Sequence, residues 1–285
     1  MQSALIVGKK ICSSLLLRNW VRPLSAASDK LTNVEVNDKT GFAKLTMNRP
    51  PVNGLNLDLL RDLHQSIQDI EKNKCRGLIL TSASNTIFSA GLDIMEMYKP
   101  DQERLKQFWT ALQDVWLALY GSAVPTAAAI NGHSPAGGCL LAASCEYRVM
   151  LPKYTIGLNE TQLGIVAPKW FMSTFRNVLP RRIAEQALTQ GKMFTSDEAL
   201  KIGLVDELAA TKEEALLKCE KFFASFAKTD PIARYLTKKQ LRHNDIKELL
   251  DEKVQDVENF VLFVNQPSVQ KGLGLYLESL KKKAK

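Results

Sequence analysis

From Val115 to Cys145 the chain runs for 31 residues without an Asp, Glu, Lys or Arg. Few features constrain a fold more, because an uncharged span of that length either crosses a bilayer or fills the middle of a protein. The segment Asn131-Gly132-His133-Ser134-Pro135 breaks it in the centre. Irregular backbone in lipid leaves N–H and C=O groups unpaired, so the break argues for a protein interior and against a membrane span. The pattern predicts a strand over Val124–Ile130 buried on both faces, a loop from Asn131 to Ala136, and a buried helix over Gly137–Ser144. Glycines at positions 137 and 138 let backbone approach a ligand closely, with the unpaired N–H groups of a helix start aimed at it.

Around this span, strand and helix signals alternate. Val34–Val36 and Phe42–Met47 read as a hairpin about Lys39-Thr40-Gly41. Leu60, Leu63, Ile67 and Ile70 fall at helical spacing before a short apolar strand, Gly77–Thr81. Leu105, Phe108, Leu112, Val115 and Leu119 mark a second amphipathic helix, and Tyr147–Leu151 a further strand. The rhythm is that of an α/β fold. Beyond about residue 165 helical periods dominate: Thr195–Glu198 has the form of a capping box, Gly203 stops that helix, and 211–227, 231–242, 244–263 and 267–282 all read as helices.

The composition, with 45% hydrophobic and 24% charged residues, is that of a packed globular protein. The formal net charge of +8 raises the question of nucleic acid. Its distribution answers it. Residues 1–28 carry four basic residues and no acid, residues 271–285 five basic residues and one acid, and the body between them is neutral. A nucleic-acid face needs a basic stripe with aromatics in the folded body. An acid-free stretch with Ser3, Ser13, Ser14 and spaced Lys9, Lys10, Arg18 and Arg22 predicts a mitochondrial transit peptide over 1–28. None of the five cysteines forms a C-x-x-C pair, so neither a metal site nor a disulfide framework is expected, and Cys139 and Cys145 read as small buried hydrophobes.

Three segments together suggest chemistry: Phe88-Ser89-Ala90-Gly91-Leu92-Asp93-Ile94, Ser134-Pro135-Ala136-Gly137-Gly138-Cys139, and Gly157 to Gly164. Glycine-bearing loops at the carboxyl ends of buried strands are where α/β sheets place ligands. Two of them can offer two backbone N–H groups to one oxyanion. Glu160, flanked by Leu158 and Leu163, is a candidate general base with a raised pKa. Asn159 either orients substrate or caps the following turn, and Asp93 reads as a helix cap. His133 and Ser134 are adjacent, but no G-x-S-x-G elbow accompanies them. Lys281–Lys285 reads as a solvated helix end, with contact to an anionic ligand as the alternative.

These segments resemble the crotonase (enoyl-CoA hydratase/isomerase) superfamily. The likeness is carried by Phe88–Met97, by Ile130-Asn131-Gly132 with Ala136-Gly137-Gly138-Cys139, by Cys145-Glu146-Tyr147-Arg148 and by Ala199-Leu200-Lys201-Ile202-Gly203-Leu204-Val205-Asp206. It runs from about Val34 to Leu208. The resemblance implies a spiral of ββα units over 29–208, a C-terminal helical trimerisation region over 209–285, and an acyl-CoA thioester as substrate without a further cofactor or metal. It implies an oxyanion hole from the backbone N–H groups of Leu92 and Gly137, with Ala90, Gly91, Asp93, Ile94 and Asn159 around the substrate. Hydratases of the superfamily use two Glu residues. Here Leu140 stands at the first position and Glu160 alone is left, as in the family's Δ3,Δ2-enoyl-CoA isomerases, which implies transfer of a proton from C2 to C4 in the mitochondrial matrix. The alternatives are a hydratase or thioesterase of the same superfamily and a non-catalytic RNA-binding homologue.

Overall fold

The computed structural model describes residues 22–23 and 30–283. Apart from Arg22 and Pro23, the transit peptide expected over 1–28 lies outside the described residues, as do the side chains of Lys281, Lys283 and Lys285 in the basic C-terminal run. Arg22–Pro23 forms a short strand, β1, on the sheet edge, pairing with Val36 and Glu35.

Strands β2 (Thr32–Val36) and β3 (Phe42–Met47) form the expected antiparallel hairpin. The Asn37 side chain accepts from the Lys39 and Thr40 N–H groups, and Gly41 takes a φ of +72°, a left-handed conformation that glycine adopts without Cβ strain. Helix α1 (Leu57–Lys72) follows, capped by the Asn56 side chain on the Leu59 N–H. Its buried stripe of Leu60, Leu63, Ile67 and Ile70 is the predicted one. Then come β4 (Gly77–Ser82), α2 (Gln102–Tyr120) and β5 (Thr126–Ile130).

The uncharged span resolves into the last turn of α2, β5, a two-residue strand β6 (Ser134–Pro135) and α3 (Gly137–Ser144), whose eight residues are all buried. The segment 131–136, expected as a loop, thus contains a strand. Two residues are too short to show alternation, and Pro135 is tolerated because β6 lies at a sheet edge. Strands β7 (Tyr147–Met150) and β8 (Thr155–Gly157) come next. Helices α4 (Lys169–Arg176) and α5 (Arg181–Gln190), β9 (Phe194–Thr195), α6 (Ser196–Ile202) with its capping box, and β10 (Glu207–Leu208) complete the core.

Among the described residues one sheet runs β1-β2-β3-β4-β5-β7-β10, parallel from β3 onward, and a second runs β6-β8-β9. Successive parallel strands put their carboxyl ends, and the loops that leave them, on one side of the sheet. Asn131, at the end of β5, ties that side together. Its Oδ1 accepts from the Ser82 N–H, and its amide donates to the carbonyls of Ser82 and Ser84.

The C-terminal helices are α7 (Lys212–Ala224), α8 (Pro231–Leu241), α9 (His243–Val264) and α10 (Pro267–Lys283). They are held to the core by Asp256, which accepts from Trp109 and Trp170 indoles, and by Glu146, which pairs with Arg234 and Lys238 at 2.6 and 2.7 Å. Phe260 stacks on Trp109. None of the described helices is long and apolar enough to cross a membrane.

Gly132 follows Asn131, and a Cβ there would lie 2.3 Å from the Ile87 nitrogen and 2.4 Å from the Thr86 carbonyl oxygen. Backbone cannot give way as a side-chain tip can. Gly132→Ala is therefore expected to cost about 2 kcal/mol or more, read as a lowered urea midpoint at unchanged slope.

Candidate active site

Three pieces of chain meet beyond the carboxyl ends of β4 and β5. The first, residues 88–93, is held almost atom by atom against residues 49–56. Ala90 N–H donates to Val52 O, Leu55 N–H to Gly91 O, and Asp93 N–H to Leu55 O. The Ser89 hydroxyl donates to Asn53 O while accepting from the Gly91 N–H. In this run the Leu92 N–H has no acceptor among the described residues.

The second piece is the start of α3. Ala136 sits at φ 49°, ψ −122°, a conformation costly for any residue with a Cβ. It is imposed by the small sheet, since the Ala136 N–H is bonded to Gly157 O. The turn frees the Gly137 N–H, which as the first residue of α3 has no carbonyl inside the helix to reach. The two pieces touch through glycine. A Cβ on Gly91, at φ +86°, would fall 2.9 Å from the Ala136 Cβ and 3.2 Å from the Gly137 nitrogen. One on Gly137 would lie 3.4 Å from the Leu92 nitrogen. Two unpaired N–H groups on loops this close can share one negatively charged oxygen.

The third piece is a short 3-10 turn, Glu160–Leu163, closed by Gly164 in the left-handed region. It is braced on α5 through the Thr161 hydroxyl, which donates to Leu188 O. Glu160 is 5% exposed, and neither of its carboxylate oxygens meets a donor among the described residues. Burial pushes its pKa from 4.5 up to about 7, with only its own backbone N–H opposing. The Cys139 thiol is raised first by burial and next by the charge of Glu160, which sets that carboxylate near the first turn of α3. An unpaired carboxylate in an apolar setting is a strong base beside an electron-poor carbon.

The other sequence candidates sort out by their contacts. Asn159 occupies the position before the turn without capping it, and its Oδ1 is buried and unpartnered. Asp93 does cap, accepting from the Met95 N–H, and it pairs with Arg49 at 2.8 Å. Ile94 is half-buried and Ala90 exposed at the rim. Leu140 is buried on α3 and brings no acid. The His133 Nδ1 is engaged with the backbone N–H and hydroxyl of Thr155, not with Ser134, so no Ser/His pair forms.

A cavity of about 420 Å³ opens at Glu160, lined by Leu158, Ile165, Val166, Ala167, Met172 and Leu188 among others. Val166, Ala167 and Met172 also line a second cavity of about 420 Å³ that runs between α4 and α9 past Trp109, Trp170 and Phe260. Sequence patterns did not disclose the second cavity, because its walls come from helices far apart in the chain. Arg49 and Asn53 were missed as well. Their only signal was a turn-rich stretch, Asn48–Gly54, directly after a strand.

Residues 37–285 match the family model for enoyl-CoA hydratase/isomerase. The mitochondrial enoyl-CoA delta isomerase 1 of Rattus norvegicus is 43% identical over 259 residues, covering 90% of this chain and 89% of that protein. The Homo sapiens enzyme of the same name is 42% identical over 251 residues, 87% of this chain and 83% of that one. The crystal structure of human mitochondrial delta3-delta2-enoyl-CoA isomerase superposes with a TM-score of 0.86 at 41% identity, covering 89% of this chain and 99% of that one. An enoyl-CoA hydratase from Bacillus halodurans, at 23% identity and a TM-score of 0.78 over 86% of this chain and 100% of its own, shares the fold.

A carboxyl whose pKa is raised on folding binds more protons folded than unfolded between about pH 4.5 and 7. Its contribution therefore lowers stability as pH rises through that window, by about 3 kcal/mol at full extent. Glu160→Gln removes the charge at equal size. It is expected to raise the melting temperature at pH 8 and to leave it nearly unchanged at pH 4.5; equal effects at both values would show that Glu160 is not buried as a charge.

Proposed function

Because the chain belongs to the enoyl-CoA hydratase/isomerase family, we propose that it is a mitochondrial Δ3,Δ2-enoyl-CoA isomerase acting in the oxidation of unsaturated fatty acids. The observation that carries this reading is that Glu160, a buried carboxylate without a partner among the described residues, is near enough to α3 for its charge to raise the Cys139 thiol, on the helix whose first N–H is unpaired. Hydration requires one group to hold water and another to deliver a proton. Shifting a double bond along a chain requires one group that can take a proton and return it.

The reaction proceeds in two proton transfers. The thioester oxygen of a 3-enoyl-CoA accepts from the N–H groups of Leu92 and Gly137. The Glu160 carboxylate removes a proton from C2, and the electron pair of that C–H bond spreads over the thioester and the C3–C4 double bond as a dienolate. The protonated Glu160 then gives the same proton to C4, leaving the double bond between C2 and C3. Nothing is oxidised or reduced, so the only coenzyme involved is the CoA of the substrate. A single oxyanion donor is worth about 3–4 kcal/mol, and both donors here are fixed by backbone before the substrate arrives. Asn159, with its unengaged amide beside Glu160, is placed to orient the substrate or the carboxyl.

The acyl chain fits the cavity at Glu160 and extends past Met172 into the one between α4 and α9. Exposed Ile232, Leu236, Leu241, Leu250, Val254 and Leu262 on α8 and α9 suit burial between subunits of a trimer. Localisation in the mitochondrial matrix is supported by the acid-free basic leader and by the mitochondrial relatives.

The direct test is conversion of 3-hexenoyl-CoA to the conjugated 2-enoyl thioester, followed by absorbance. Glu160→Gln is expected to lose at least about a hundredfold in kcat. For the unaltered enzyme kcat/KM is expected to rise with pH through about 7, where Glu160 becomes a carboxylate; equal activity of the two proteins refutes the assignment. Met172→Trp, which puts a larger side chain where the two cavities share a wall, is expected to spare hexenoyl-CoA and to cut turnover of long-chain substrates about tenfold or more.

A further inference from the structure

The geometry points to Arg49 and Asp93 as a charge-neutralising pair that sets the strength of the oxyanion site, with Arg49 a positioning residue; this rests on the reading of Leu92 and Gly137 given above. Asp93 directly follows Leu92. Its backbone N–H is fixed on Leu55 O at 3.0 Å and its Oδ1 takes the Met95 N–H at 3.0 Å. The acid therefore holds the Leu92–Asp93 peptide in place. Its charge, however, works against the chemistry, because a carboxylate next to a developing oxyanion repels it.

Arg49 removes that conflict. One of its terminal nitrogens lies 2.8 Å from Asp93 Oδ2 and the other donates to Gly54 O at 2.7 Å. Gly54 makes room for this: a Cβ there would lie 3.1 Å from the Arg49 nitrogen and 3.6 Å from Asp93 Oδ2. The pair is mostly shielded, at 28% and 18% exposure, so water screens it poorly. Arg49 is itself anchored, its N–H on the Asn53 side chain at 2.7 Å, while the Asn53 amide reaches Ser82 and the Phe88 carbonyl. The other acid of this turn, Glu96, is matched by Arg104 at 2.7 Å. Asp93 and Glu96 are thus each paired with an arginine, Arg104 reaching Asp58 as well.

A 3-ketoacyl-CoA reads the oxyanion site without turnover, since its bound enolate has a distinct ultraviolet absorbance and its fraction reports how well the site stabilises negative charge. Arg49→Gln is expected to lower the ratio of bound enolate to ketone about tenfold at fixed pH, and to lower kcat on 3-hexenoyl-CoA with little change in KM. Arg49→Lys, which keeps the charge, should retain most of both. The double variant Arg49→Gln with Asp93→Asn should recover the enolate, and Asp93→Asn alone, which keeps the acceptor for Met95, should raise it. An unchanged ratio in Arg49→Gln, a double variant as poor as Arg49→Gln, or a fall in Asp93→Asn each overturns the pairing. An unaltered enzyme that forms no enolate band and converts no 3-hexenoyl-CoA overturns instead the isomerase reading beneath it.

Discussion

The contact between Gly91 and the start of α3 leaves no room for a side chain at residue 91, and much of the surrounding structure exists to allow it. Side chains at either position would force the loops apart by the few tenths of an ångström that decide whether two N–H groups reach one oxygen. Around it, residues 49–56 fix one loop through successive main-chain bonds, and the small sheet fixes the other by holding the Ala136 N–H. Ala136 remains in a strained conformation because both of its neighbours are pinned. Polarity supplied by main chain does not depend on the identity of residue 92, which explains why a leucine can stand there.

Glu160 represents the opposite strategy. The two unpaired N–H groups sit on loops held by main-chain bonds, whereas the carboxylate is left without partners among the described residues in a largely apolar cavity. Its burial makes it a better base and the protein less stable at neutral and higher pH. Such local cost is sustained by the large aromatic and aliphatic core, in which Trp116, Phe88, Phe108 and Phe171 are fully buried, and by the ties of α9 to α2 and α4 through Asp256.

Much of the fold was legible in the sequence because its elements carry strong local signals. The buried stripe of α1, the capping box at Thr195, the hairpin about Gly41 and the four C-terminal helices all announce themselves within a few residues. The interrupted uncharged span correctly placed β5 and α3. What local pattern could not supply was β6, too short for alternation, and the second sheet it joins. Glu160, Leu92 and Gly137 were identified as candidates from small-residue loops and from a family resemblance. Arg49 and Asn53 were not, since an arginine and an asparagine in a turn look alike whether they face solvent or brace a loop some forty residues away. The cavity between α4 and α9 was invisible for the same reason: Met172 and Phe260 line it together only after folding.

The cysteines carry one more implication. Cys75, Cys139, Cys145 and Cys219 are all buried and unpaired, and burial raises each thiol, that of Cys145 to about 12. Peroxides and alkylating agents attack the thiolate, and a thiol held protonated out of solvent offers them almost none. Sulfur sits at Cys139, two residues after the unpaired N–H that opens α3, without making that helix a target for oxidants. The folded core is thereby insulated from redox chemistry, with cysteine serving as a packing residue.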